Sequence, residues 1–170
     1  MDVMQGKLVL GLDILNISEE EKYAVSIYNI ILGGSANSKL FQNVREKASL
    51  AYTAGSNYLR QKNNILIRCG IEIQNYQKAV EIIKQQLKDM EEEKFNEDDI
   101  NNAKNIIIST VDGIEDSQDS EISYYFSQEL TSSFVSIKDY IKNIYKVTKQ
   151  DVAAIAKKIK INTIYFLKNN

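Results

Sequence analysis

The sequence predicts an α+β fold, a mostly antiparallel sheet covered on one face by helices. Three observations lead there. Strict apolar alternation marks strands near the start and middle of the chain, a polar four-residue turn joins two of them, and the second half follows a three- and four-residue apolar period. Strands that neither alternate regularly with helices nor close a barrel leave helices packed on one side of a sheet as the economical arrangement.

Leu8, Leu10, Leu12 and Ile14 alternate with Val9, Gly11 and Asp13, the period of a strand with one buried face. Ser18 stands three residues before Glu21, a capping-box spacing that satisfies free N–H groups at a helix start. Tyr23, Ala24, Ile27, Ile30 and Ile31 continue at helical spacing until Gly33-Gly34, a helix stop. A short helix then carries Leu40, Phe41 and Val44. Strands follow at Ala51 to Leu59 and Ile65 to Ile73, joined by Gln61-Lys62-Asn63-Asn64, with Ile65, Ile67, Cys69, Ile71 and Ile73 on one face.

Tyr76, Ala79, Val80, Ile83, Leu87 and Met90 predict a long helix. The next is capped by Asn96, stapled by Phe95 and Ile100, and continued by Ala103, Ile107, Val111 and Ile114. The acidic stretch Asp112 to Glu121 predicts a kink or loop before Tyr124-Tyr125-Phe126. Val135 with Tyr140, and Val147 with Val152, repeat the staple at two further helices capped by Ser136 and Thr148. Thr163 to Leu167 predicts a closing strand. The expected order is β-α-α-β-β-α-α-α-α-β.

A chain of 170 residues supports one domain with a substantial core. Its 44% hydrophobic and 26% charged content is that of a globular protein. A net charge of −2 and only three arginines give no electrostatic reason to expect nucleic acid. No apolar run approaches the roughly 20 residues that span a bilayer, and no secretory leader is evident, so neither a membrane nor nucleic acid is an expected partner. The single cysteine fits a reducing compartment, and a cytoplasmic location is the expectation.

Chemistry is bounded first by what is missing. The sequence contains no histidine, and one thiol cannot replace imidazole ligands for zinc. Glu91-Glu92-Glu93 and Asp98-Asp99 splay around helices instead of converging on one ion. Gly33-Gly34-Ser35-Ala36-Asn37-Ser38-Lys39 superficially resembles a phosphate loop but lacks the second glycine before the lysine and follows a helix. Cys69 falls inside a strand among apolar neighbours, the position of a buried thiol.

Arg45 and Tyr52 stand seven residues apart in Arg45-Glu46-Lys47-Ala48-Ser49-Leu50-Ala51-Tyr52. A helix, a short turn and a strand entry would set both at one sheet edge, where a guanidinium and a phenol can donate to a peptide carbonyl. The stretch from Gly33 through Tyr52 resembles the signature of the C-terminal half of M16 (insulinase/pitrilysin-type) zinc peptidases. That resemblance implies an M16 peptidase-like fold and a substrate-binding half without metal of its own. It assigns Tyr52 a catalytic role, stabilising the oxyanion in trans, and Arg45 with Tyr52 a substrate-binding role. Zinc is then expected only in a partner domain, held by an inverted His-x-x-Glu-His helix and a distal Glu. The implied partners are a zinc-bearing M16 domain of the same or another chain and a peptide substrate.

Val3-Met4-Gln5-Gly6-Lys7-Leu8 resembles the opening of the second half of such proteins, which implies that residues 1–170 are a single domain excised from a longer chain. Isolated in this way, the domain is expected to self-pair as a homodimer through a surface meant to be covered. Ala48 and Ser49 depart from the family, where Arg or Gly is common before Leu-Ala-Tyr, and Lys39 stands where Arg is common. This departure and the lack of histidine keep a second reading open: a non-catalytic scaffold or inactive partner subunit of an M16-like assembly.

Overall fold

A computed structural model describes residues 5–129 and 134–168. Four strands form one antiparallel sheet in the order β2-β3-β1-β4: β1 (Gly6–Ile14), β2 (Ala51–Leu59), β3 (Asn64–Ile71) and β4 (Ile159–Leu167). Six α-helices accompany it among the described residues: α1 (Glu21–Asn29), α2 (Tyr76–Glu91), α3 (Glu97–Asp112), α4 (Gln118–Glu129), α5 (Ile137–Lys146) and α6 (Lys149–Lys158). Met4 and the residues before it lie outside the described residues, and so does the first part of the opening segment named above.

Period-two patterning decides which face of the sheet is covered. Leu8, Leu10, Leu12, Ile65, Ile67 and Ile71 are fully buried, and the register aligns them into rows such as Ser56–Ile67–Leu10–Ile164. Against them pack Ile27, Leu32, Leu40, Ile83 and Met90 from the helical layer. Burying each such side chain contributes roughly 1.5–3 kcal/mol. The opposite face carries the row Gly55–Arg68–Val9–Tyr165, with Tyr165 exposed. Val9 and Gly55 in that row are half-buried, and the Gly33 carbonyl approaches the strand at Gly55.

The predicted caps form. Ser18 and Glu21 exchange backbone-to-side-chain bonds of 2.9 and 3.2 Å. Asn96 with Asp99 and Thr148 with Asp151 complete capping boxes, and Ser136 accepts from the Asp139 backbone. Phe95, Ile100, Val147 and Val152 are buried, as the staples require.

The structure differs from the sequence reading at five places. After α1 the chain widens into a π-helical turn at Ile30–Gly34, and the short helix beginning at Lys39 becomes π-helical over Phe41–Lys47. The predicted loop at Asp112 to Glu121 is only a turn, because α4 begins at Gln118. That helix buries none of its residues, so no apolar period marks it. Finally, β4 starts at Ile159 directly out of α6 and absorbs a register shift opposite Gly11/Leu12, while β3 ends at Ile71 and Ile73 enters a 3₁₀ turn.

Candidate functional site

Two buried anchors build the edge of the sheet where Arg45 and Tyr52 lie. Val44 is fully buried in the π-helical segment, and Leu50 is buried six residues on. The turn between them is closed by the Ser49 N–H donating to the Arg45 carbonyl and the Leu50 N–H donating to the Val44 carbonyl, both at 3.1 Å. Ser49 adopts φ 50°, the left-handed conformation a glycine takes without cost. A serine at this position thus keeps the turn and loads it with strain.

With the anchors pointing inward, the flanking side chains face out. The Arg45 side chain is 43% exposed, its guanidinium 4.5 Å above the Phe41 ring and its Nε 3.8 Å from Glu46. Tyr52 is 64% exposed. It sits where the pairing of β2 with β3 slips between Ala51 and Thr53, a bulge that re-aims a side chain on an edge strand. Among the described residues its phenol makes neither hydrogen bond nor ring contact. The structure therefore leaves Tyr52 free as a donor while holding Arg45 against its own helix.

The other sequence candidates resolve as structural parts. No group of three or more His, Cys, Asp or Glu side chains among the described residues could hold a metal ion. Cys69 is buried, and desolvation pushes its thiol up to about 12, out of reach of thiolate chemistry at neutral pH. Gly33 packs on the backbone of β2 instead of opening toward a phosphate.

A second concavity lies at the far end of β2, a cavity of about 450 Å³ beneath α4 that includes Tyr58, Arg60, Tyr124 and Tyr140. Sequence reasoning passes over it. The only trace is that Arg60, one of three arginines, directly follows a strand ending in Tyr58-Leu59.

Residues 1–107 match the family model described as the peptidase M16 inactive domain. The chain belongs to the peptidase M16 family. The M16 match extends beyond that segment in individual relatives. A probable inactive metalloprotease of Bacillus subtilis, YmfF, is 37% identical over 168 residues, covering 98% of this chain and 39% of that protein. An uncharacterized zinc protease of Streptomyces coelicolor is 28% identical, covering 91% of this chain and 34% of that protein. This M16 chain thus spans little more than a third of the length of these two relatives.

Solved structures agree on the M16 fold. A conserved protein from Enterococcus faecalis superposes over the whole chain, and 40% of its own, with a TM-score of 0.90 at 26% identity. A peptidase M16 inactive domain from Pseudomonas fluorescens covers 95% of this chain and 41% of its own, with a TM-score of 0.78 at 18% identity. No helix among the described residues is long and apolar enough to cross a membrane.

Proposed function

We propose that this M16 domain is the substrate-holding C-terminal half of a zinc metallopeptidase acting on peptides. Its zinc would belong to another domain of the same or another chain. The observation that carries this reading is Tyr52, exposed and without a hydrogen-bond partner among the described residues on a bulged edge strand, seven residues after Arg45. In that role the Tyr52 phenol donates to the negative charge that develops on a scissile carbonyl oxygen. Arg45 leaves Phe41 and Glu46 to donate its guanidinium to the substrate backbone. Zinc, in the facing domain, would activate the attacking water.

A scaffold role is the second reading, and two observations favour it. Arg45 is already engaged within its own helix, and the Bacillus subtilis relative is described as a probable inactive metalloprotease. On either reading, the purified chain alone binds no zinc stoichiometrically and hydrolyses no peptide. Metal analysis and a chelator-controlled peptidase assay test this, and stoichiometric zinc with chelator-sensitive activity would overturn both readings. The two are separated by assaying the longer protein that contains this segment: chelator-sensitive peptidase activity there supports the first, and its absence supports the scaffold.

The sheet face on which Tyr165 and Leu167 are exposed is the surface the first reading turns toward the zinc-bearing domain. Isolated, the chain is expected to self-pair weakly through it. Light scattering would show a mass that rises with concentration, and a monomer at all concentrations would count against the covered-face assignment.

A further inference from the structure

The cavity at the far end of β2 has the chemistry of a ligand site that is separate from the Arg45–Tyr52 edge. Tyr52 and Tyr58 are six residues apart on one strand, so the two features lie roughly 20 Å from each other. Its walls come from three places: the start of α1 with Glu19 and Lys22, the β2–β3 connection from Tyr58 to Lys62, and the helical cover with Tyr124, Gln128 and Tyr140. A volume of about 450 Å³ falls within the range of small-molecule pockets.

Polar donors converge there on an apolar body. The Arg60 guanidinium lies 4.9 Å from the Tyr23 ring centroid and 5.7 Å from that of Tyr140. Both rings are within cation–π reach of the guanidinium. Its Nη2 reaches Glu19 only at 4.0 Å, a carboxylate that already pairs with Lys22 at 2.6 Å. Arg60 Nη1 and Tyr58 Oη are buried, and neither finds a hydrogen-bond partner among the described residues. A buried donor left unmatched is costly, so two of them beside one cavity mark a place built for an acceptor. Burial raises the Tyr58 hydroxyl above the usual tyrosine range, which keeps it protonated and a donor at neutral pH.

The rest of the lining selects the ligand further. Lys22, Arg60 and Lys62 set three cations against the single carboxylate of Glu19, a net charge of +2 that favours an anion. Tyr124 spends its hydroxyl on the Val135 carbonyl at 3.1 Å, leaving its ring, with Leu59 and Val135, as an apolar wall. We propose that this cavity binds a carboxylate attached to an aromatic or apolar group, with Arg60 and Tyr58 donating to the carboxylate and the tyrosine rings receiving the apolar part. This does not depend on a peptidase role. The same chemistry is found in a free aromatic carboxylic acid and in the C-terminal residue of a peptide.

The test is titration of the whole chain with N-acetyl-phenylalanine, followed by ligand-observed NMR and calorimetry. The neutral amide, N-acetyl-phenylalaninamide, should bind at least about tenfold more weakly, the factor expected for losing a charge-assisted hydrogen bond. Arg60→Gln should lose a similar factor, and Tyr58→Phe, which keeps the ring, severalfold. If Arg60→Gln fails to fold by circular dichroism, the amide and Tyr58→Phe still decide. Ala-Ala-Phe distinguishes the two sources: binding equal to N-acetyl-phenylalanine points to a peptide C-terminus, and binding of the single residue alone points to a small acid. Equal affinity for acid and amide, Tyr58→Phe binding as tightly as the parent chain, or no saturable binding of N-acetyl-phenylalanine would overturn the proposal.

Discussion

Gly33 and Ser56 meet with no room for another carbon. A Cβ on Gly33 would stand 2.5 Å from the Ser56 backbone nitrogen and 2.6 Å from its Oγ. The same Ser56 hydroxyl donates to Asn29 Oδ1 at 2.8 Å, so the end of the first helix is tied to β2 by contact and by hydrogen bond. This tie seats the π-helical turn against the edge strand that carries Tyr52.

Gly33→Ala should therefore destabilise the fold by about 1–3 kcal/mol, the usual cost of forcing a methyl into a filled space. For a chain of this size, each kcal/mol lowers Tm by roughly 2–4 °C. Denaturant unfolding measures the loss directly. An unchanged midpoint would mean that the helix end is not seated on β2 as described.

Ser49 makes the opposite prediction. Its φ of 50° suits glycine, and a non-glycine residue there carries roughly 1–2 kcal/mol of steric cost. Glycine also gives up roughly 0.5–1 kcal/mol through the freedom of the unfolded chain. Ser49→Gly should thus stabilise by on the order of 0.5 kcal/mol. Ala48→Gly, one residue earlier at φ −89°, should destabilise instead. Chemical denaturation of the pair gives the sign of each, and a destabilised Ser49→Gly would contradict the left-handed turn.

Glu21 and Lys158 give the stability a pH dependence. The hydrogen bond from Lys158, then that from the Ser18 backbone N–H, holds the Glu21 carboxyl below its usual range. A carboxylate lowered in the folded state contributes stability above its unfolded pKa of about 4.3, and that contribution is lost as pH falls through the folded value. Both side chains are about a third exposed, so solvent screening leaves on the order of 0.5–1 kcal/mol. Lys158→Met should cost about that much near pH 7 and much less near pH 3. Unfolding free energies at the two pH values check it, and an equal loss at both would assign the effect to packing.

How far the sequence reveals the fold depends on where burial writes a period. Leu8, Leu10, Leu12 and Ile14 spell out β1, and Ser18, Asn96, Ser136 and Thr148 carry caps that depend on neighbours three residues away. Helix α4 writes nothing of the kind. Ile122 and Phe126 are exposed and Tyr124 is half-buried, so its apolar residues follow no face. At the candidate site, the spacing of Arg45 and Tyr52 is a local property and visible. The bulge at Tyr52 is set by how β2 pairs with β3, and the contact of Arg45 with Phe41 by a π-helical turn. Neither leaves a mark in the order of residues.

Tyr52→Phe separates the two functional readings. With 64% of the residue exposed and no hydrogen bond to its phenol among the described residues, removing the hydroxyl should change stability by no more than about 0.5 kcal/mol. A core role for this hydroxyl, which would cost on the order of 1 kcal/mol, is incompatible with that exposure. If the phenol donates to a developing oxyanion, the same change in the longer protein should cost about 2.7–4 kcal/mol in the transition state, or 10²–10³ in turnover. KM should move much less, because the interaction forms mainly as charge develops. Steady-state peptidase kinetics of the longer protein, beside a melt of the isolated chain, read both quantities. Turnover that survives Tyr52→Phe would remove the oxyanion role, and the exposed phenol would then belong to a scaffold that meets its partner at the sheet edge.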